Sequence, residues 1–139
     1  MDGSAWELEL RRQVGTLRLR PIVRVPVGAS LREAARAMRE ANVSSALVGD
    51  QPRQIVTERD LTRALAEGIG PEEPVEHVAE RIPVWVTTTS QLIDVAEIML
   101  RHQLRHLIVV ATSGEEVGIV SMRDVFALLL PERLGFSAG

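Results

Sequence analysis

Apolar residues recur with the period of an amphipathic helix in two stretches of the chain. In each stretch they fall at positions i, i+3, i+4 and i+7, beginning at Leu31 in the first and at Leu92 in the second. This spacing places the apolar side chains on one helical face, and Ser30 and Ser90 stand where they could cap the two helices. A shorter pattern over residues 5–13 predicts a further helix near the N-terminus.

Runs of aliphatic and β-branched residues predict strands, and these runs also come in pairs. After each amphipathic helix comes a strand, then a turn sequence, then a second strand that leads directly into another helix. Each copy therefore has the order strand, helix, strand, strand, helix, and a pattern repeated at this distance indicates a duplicated fold unit. The paired strand segments are 21–25 and 82–86, 43–48 and 104–110, and 55–57 and 119–121.

The duplicated pattern divides the chain into two tandem repeats joined by an acidic linker at 70–74. A repeat of this size buries little surface alone, so we expect the two to pack through their sheets as one α/β structure. The predicted divisions are an N-terminal helical segment over 1–13, a first repeat over 14–70, a second repeat over 75–134 and a tail over 135–139.

Composition excludes several classes of chemistry. The chain of 139 residues has no Cys, and all 16 basic residues are Arg, which excludes thiolate catalysis, Cys-type zinc sites, Schiff-base chemistry and a P-loop lysine. His77 and His102 belong to no set with metal-ligand spacing, so we predict surface positions for both. No nucleophile is paired with a base, and no catalytic residue is predicted.

Charge and hydropathy predict a cytoplasmic protein. The formal net charge of −3 gives no general attraction to nucleic acid or to an anionic membrane. No apolar run reaches the roughly 18 residues of a membrane span, and residues 1–7 lack the basic-then-apolar order of a signal peptide. The four Arg residues between positions 11 and 20 are interpreted as a solvated face.

The order of these motifs resembles a pair of CBS (cystathionine-β-synthase) domains, also called a Bateman module. The resemblance depends on the strand–helix junctions Gln54-Ile55-Val56-Thr57-Glu58-Arg59-Asp60 and Gly118-Ile119-Val120-Ser121-Met122-Arg123-Asp124, and on Arg105-His106 ahead of a central strand. It covers residues from about 14 to 134. It implies two tandem CBS repeats packed through their sheets with pseudo-twofold symmetry.

The resemblance also implies a function. Proteins of this kind are regulatory modules that bind an adenosine-containing ligand such as AMP, ADP or ATP in the cleft between the repeats. For this chain it implies a small-molecule nucleotide as regulatory ligand, no required cofactor, a homodimer, and an effector protein of unknown identity as the recipient of the signal. Neither a membrane nor nucleic acid is expected as a partner.

Residues at the two junctions could supply the contacts for such a ligand. Asp60 and Asp124 can each accept two hydrogen bonds from a ribose diol, and Thr57 and Ser121 add hydroxyl groups at the first turn of a helix. The cations available for phosphate are Arg59, Arg105, His106 and Arg123. The apolar candidates for contact with adenine are Ile55, Val56, Val84, Val86, Ile119 and Val120.

Each of these candidates also has a simpler structural explanation. A Ser/Thr-x-x-Asp pattern caps a helix in any protein, basic residues are common on edge strands, and a buried strand needs the same apolar residues. The first repeat has Ser44-Ser45 in place of the basic pair and Gln54 in place of Gly118, so we expect the two sites to differ. The alternative function is a ligand-free scaffold for dimerisation or for docking a partner.

Overall fold

A computed structural model describes residues 4–50, 54–81 and 84–129. These residues form two compact α/β units. The central unit comprises the described residues between 21 and 81, and the terminal unit comprises residues 4–20 together with 84–129. The elements in chain order are α1 (Ser4–Leu10), β1 (Arg24–Val25), α2 (Leu31–Ala41), β2 (Ser45–Val48), β3 (Gln54–Thr57), α3 (Glu58–Ala66), β4 (Glu80–Arg81), β5 (Val86–Thr87), α4 (Leu92–His102), β6 (His106–Val110), β7 (Glu116–Ser121) and α5 (Met122–Leu129).

The central unit is a four-stranded sheet with α2 and α3 packed on it. The strands lie in the order β1-β2-β3-β4; β1 is parallel to β2, and the other pairs are antiparallel. Three of the four apolar positions that the periodicity predicts on α2, Leu31, Ala34 and Met38, are buried in the core, whereas the fourth, Ala35, is exposed. The core of this unit contains Val25, Ala29, Leu31, Ala34, Met38, Val43, Ala46, Val48, Val56, Ala64 and Val75.

The terminal unit is a three-stranded sheet with helices α1, α4 and α5. The strand order is β5-β6-β7, with the first pair parallel and the second antiparallel. Helix α1 contacts both α4 and α5. The helix predicted over 5–13 is observed over Ser4–Leu10 and is therefore shorter at its C-terminal end. The core of this unit contains Val14, Val86, Leu92, Val95, Met99, Leu107, Val109, Val120 and Val125.

The duplication seen in the sequence is reproduced in strand register. Leu47 lies opposite Ile55 in the central unit, as Ile108 lies opposite Ile119 in the terminal unit. Two positions further along the same strands, Ser45 faces Thr57 and His106 faces Ser121. The α/β class and the tandem repeat are therefore confirmed.

The segment at the start of each predicted repeat packs in the unit formed by the other repeat. Residues 14–20, which the sequence places at the start of the first repeat, belong to the terminal unit: Val14 is fully buried there, and Gly15 N–H donates to Thr88 C=O at 2.8 Å. In the central unit, Val75 N–H donates to Ala29 C=O at 2.7 Å, and β4 joins the edge of the sheet beside β3. The compact units thus differ from the sequence repeats by an exchange of flanking segments.

The helix caps agree with the sequence in one copy and not in the other. Ser30 accepts a hydrogen bond from Glu33 N–H and caps α2 as predicted. The prediction that Ser90 caps α4 is wrong, because that helix begins one residue later, with Gln91 at the N-cap. The Ser90 hydroxyl instead accepts from Thr87 N–H at 3.2 Å and closes the turn after β5.

Some predictions fall on residues that the structure does not describe. These are the first part of the strand predicted over 82–86, the end of the second repeat over 130–134 and the tail over 135–139.

Candidate functional site

In both units one strand passes directly into a helix, and the two candidate carboxylates lie in the first turn of that helix. Thr57 ends β3 and precedes α3, and Ser121 ends β7 and precedes α5. The first N–H groups of a helix have no partner within the helix, and the helix dipole makes this end electropositive. Each junction therefore favours hydrogen-bond acceptors and negative charge, whether from a side chain or from a ligand.

In the central unit, the carboxylate of Asp60 is occupied by its own helix. Thr57 N–H donates to Asp60 Oδ2 at 2.9 Å, and Asp60 N–H donates to Thr57 Oγ1 at 3.2 Å. The Thr57 hydroxyl also contacts Oδ2 at 3.0 Å, and Arg63 Nη2 donates to Oδ1 at 3.0 Å. The Asp60 side chain is only 4% exposed. This geometry is that of a capping box closed by a cation from the same helix.

In the terminal unit, the equivalent Asp124 has a cation from a distant segment. Ser121 N–H donates to Asp124 Oδ2 at 3.1 Å, and Asp124 N–H returns a bond to Ser121 Oγ at 3.1 Å. Arg20 grips the same carboxylate with two bonds, Nε to Oδ2 at 3.2 Å and Nη2 to Oδ1 at 2.9 Å. The side chains of Asp124 and Arg20 are 25% and 39% exposed, so this carboxylate is open to solvent where that of Asp60 is closed.

The ionisation of the pair follows from these contacts. Burial alone would raise the pKa of Asp124, but the hydrogen bonds from Arg20 and Ser121 outweigh it and hold that pKa below its ordinary value. The hydrogen bond to Asp124 in turn raises the pKa of Arg20. Asp124 is therefore a carboxylate and Arg20 a guanidinium at neutral pH.

Sequence reasoning missed the role of Arg20, which it included among solvated arginines. Backbone pairing places this residue: Arg20 N–H donates to Ile119 C=O at 3.0 Å, and Ile119 N–H donates to Arg20 C=O at 2.9 Å. In the central unit Glu80 lies opposite Ile55 in the same way. No pattern within residues 14–20 signals this pairing, so the contact between Arg20 and Asp124 is visible only in the fold.

The basic pair of the second repeat lies at the Asp124 junction. His106 faces Ser121 across the sheet, and Arg105 C=O accepts a hydrogen bond from Met122 N–H at 2.8 Å. The side chains of Arg105 and Arg123 are exposed there. In the central unit Ser44 C=O accepts from Glu58 N–H, so the same backbone contact forms there without a basic pair, and Arg59 is exposed beside Asp60.

The apolar candidates for adenine contact fall into two groups. Val56, Val86 and Val120 belong to the cores under the helices, and Val84 packs against the core of the terminal unit. Ile55 and Ile119 are also buried, but they lie in neither helix-side core. Because side chains alternate along a strand, these two point to the opposite face of their sheets.

Two negative findings apply to the part of the chain that the structure describes. In those residues no three His, Asp or Glu side chains come together as a metal-binding group. None of the described helices has both the length and the hydropathy that a membrane span requires.

Comparisons with known proteins show that each half of the chain matches the same protein family. The CBS domain family model matches residues 14–67 and 75–131. Among curated proteins, an uncharacterised 17.7 kDa protein of Acidianus ambivalens is 36% identical over 104 residues, which is 73% of this chain and 63% of that protein. A CBS domain-containing protein of Arabidopsis thaliana is 33% identical over 116 residues, covering 80% of this chain but 21% of that protein. This chain thus spans less than two thirds of either relative.

Among solved structures, a CBS domain protein from Pyrobaculum aerophilum complexed with AMP is similar to this chain. The two share 32% sequence identity, and the match covers 85% of this chain and 98% of the other with a TM-score of 0.71.

Proposed function

Because this chain belongs to the CBS domain family, with two tandem copies of the domain, we propose that it is a regulatory module that binds an adenosine-containing ligand at the Asp124 junction. AMP is the first candidate, and ADP and ATP belong to the same class. The observation that carries the proposal is the half-open carboxylate of Asp124, bordered by cations, at the start of a helix. The module has no catalytic role in this proposal and passes its signal to an effector protein.

The chemistry of the junction supports a nucleotide. The Asp124 carboxylate can accept hydrogen bonds from the 2′- and 3′-hydroxyl groups of a ribose. The Ser121 hydroxyl and the helix N-terminus can face a phosphate. The nearby cations are Arg105, just before β6, and Arg123, in the first turn of α5, and His106 at the start of β6 is a further candidate donor. Ile119 is the adjacent apolar residue.

The comparison between the units favours Asp124 over Asp60. Asp60 is buried and bonded to Thr57 and Arg63, so a ligand would have to dismantle the capping box of α3 to reach it. Asp124 makes its longest-range contact to Arg20, a side chain that is itself partly exposed, and can be reached without loss of the helix cap. We therefore propose one principal site, and Thr57, Asp60 and Arg59 are secondary candidates.

A relative with a bound ligand supports the class of ligand. The similar protein from Pyrobaculum aerophilum is complexed with AMP, and its identity and coverage extend over both CBS domains of this chain. A homodimer and a cytoplasmic location are part of the same proposal and await direct measurement.

A ligand-free scaffold is the second candidate, and one feature of the central unit favours it. An open groove of about 380 Å³ runs between α2 and α3, lined by Ala35, Met38, Arg39, Asn42, Val43, Glu58 and Leu61. On α3, Leu65 is 76% exposed. A partner helix or a second copy of the chain could cover these apolar groups.

Thermal unfolding and calorimetric titration with AMP, ADP and ATP test the proposal. A ligand at 100 times its Kd should stabilise the fold by about 2.7 kcal/mol. Asp124→Asn should weaken binding at least about tenfold, because a neutral amide loses charge-assisted hydrogen bonds. Asp94→Asn is the matched control, since Asp94 is an exposed carboxylate in the first turn of α4, and it should leave binding unchanged.

The same measurements separate the two functions. If the protein forms dimers by sedimentation equilibrium but none of the three nucleotides shifts its melting temperature at millimolar concentration, the scaffold is the correct function and the ligand proposal is wrong.

A further inference from the structure

The hydrogen-bonding capacity of Asp124 is nearly used up. A carboxylate offers about four acceptor positions, two on each oxygen. Oδ2 accepts from Ser121 N–H and from Arg20 Nε, and Oδ1 accepts from Arg20 Nη2. The Ser121 side chain also hydrogen-bonds to this carboxylate, so the described contacts leave room for at most one further bond. A ribose diol that donates two hydrogen bonds therefore has to displace at least one arm of Arg20.

This displacement is unfavourable for an uncharged ligand. A guanidinium–carboxylate pair with two parallel bonds is stronger than the neutral hydroxyl bonds that would replace it. The displaced guanidinium would lose its anion while its backbone stays fixed by the two bonds to Ile119. A ligand that also carries a phosphate supplies a second anion to Arg20, and the exchange then conserves the number of charge-assisted contacts.

The central unit carries the opposite charge at the equivalent position. Glu80 lies opposite Ile55 as Arg20 lies opposite Ile119, and Glu80 Oε1 is 3.9 Å from Arg63 Nη1, on the guanidinium that also binds Asp60. The flanking segment thus brings Glu80 to that junction, whereas it brings Arg20 to the Asp124 junction. The flanking segments therefore give the two duplicated junctions opposite electrostatics.

We propose that Arg20 is the specificity-determining residue of the Asp124 site and that it makes the site select phosphorylated adenosine ligands over adenosine itself. Without a ligand Arg20 is the counter-ion of Asp124, and with a nucleotide bound it is the partner of the phosphate. This inference rests on the proposed function and adds to it the identity of the group that discriminates between ligands.

The test measures the Kd of AMP and of adenosine by isothermal titration calorimetry for the wild-type chain and for Arg20→Met. Methionine keeps an unbranched stem and the backbone pairing with Ile119 but removes the charge. We expect the wild-type protein to prefer AMP, and we expect Arg20→Met to bind adenosine more tightly and AMP more weakly. The ratio of the two Kd values should fall about tenfold or more.

Two further variants serve as controls. Arg20→Lys keeps a positive charge and should keep a preference for AMP. Arg101→Met removes an exposed arginine that pairs with Glu97 on α4, changes the net charge equally and should leave the ratio at its wild-type value. Circular dichroism establishes that each variant is folded before its binding is compared.

The outcomes distinguish the two proposals. If the wild-type protein binds AMP but Arg20→Met retains the same Kd ratio, Arg20 does not discriminate and this inference is wrong, whereas the proposed function stands. If neither protein binds adenosine, AMP, ADP or ATP, the proposed function fails. The inference then fails with it, because Arg20→Met exposes the carboxylate and should at least bind adenosine.

Discussion

Replacing Asp60 by alanine should destabilise the protein more than replacing any exposed carboxylate. The side chain is 4% exposed and accepts hydrogen bonds from Thr57 N–H and Arg63. Loss of a helix cap costs about 0.5–2 kcal/mol, and a backbone N–H left without its partner in a partly buried position costs about 1–3 kcal/mol. Because these two costs overlap, we expect the free energy of unfolding to fall by about 2–3 kcal/mol.

Urea denaturation followed by circular dichroism measures this change. With a slope of about 2 kcal/mol per M, the midpoint should move down by about 1–1.5 M. Asp60→Asn should lose less than half of the unfolding free energy that Asp60→Ala loses, because the amide oxygen of asparagine can still accept a hydrogen bond from Thr57 N–H. Asp94 is the matched control: it occupies the same third position of its helix, yet it is exposed and its helix has no side-chain cap bond.

The comparison of these two alanine variants decides whether the reasoning holds. Asp94→Ala should cost less than about 1 kcal/mol, which is the size of a favourable interaction with the helix dipole. Equal losses for Asp60→Ala and Asp94→Ala would refute the capping argument and would reopen the possibility that Asp60 is kept for a ligand.

Two further predictions concern acid stability and the helix ends. The pKa of Asp124 is held below its ordinary value. The contribution of this carboxylate to the free energy of unfolding should therefore be complete above about pH 4 and should disappear as the pH falls through the lowered pKa. Asp124→Asn should flatten this part of a plot of unfolding free energy against pH, and an unchanged plot would contradict the pairing with Arg20. Gln103 and Asn42 both end helices with φ of 55°. Gln103→Gly should raise the free energy of unfolding by about 0.5–1 kcal/mol, and Asn42→Gly should raise it by less, because asparagine tolerates this left-handed conformation. Equal gains in urea denaturation would show that side-chain identity at this cap does not matter.

Local patterns in the sequence predicted most of the secondary structure. The spacing that begins at Leu31 and at Leu92 gave the positions of α2 and α4 because burial of one helical face depends on residues three and four apart. The capping residues Ser30 and Thr57 were identified for the same reason, since a cap bond joins residues three apart. Ser90 was misassigned because its turn after β5 displaced the helix start by one residue.

The exchange of flanking segments could not be predicted in this way. Nothing in residues 14–20 indicates which sheet edge they join, because the partner of Arg20 lies at Ile119 and the pattern within a strand does not encode its neighbour. The candidate site was likewise predicted only in part. Ser121 and Asp124 were found from a motif, and their burial and their contact with Arg20 needed the fold.

The order of segments has a consequence for how the chain reaches its native state. The central unit is inserted between the two parts of the terminal unit, so all of its residues are synthesised before β5, β6 and β7. Residues 14–20 are synthesised before their backbone partners Thr88 and Ile119, so Val14 cannot be buried in its native core until the second half of the chain has been made. A proteolytic cut placed between residues 20 and 21 would therefore separate a core side chain, Val14, and the arginine that binds Asp124 from a unit whose remaining sequence begins only at residue 84.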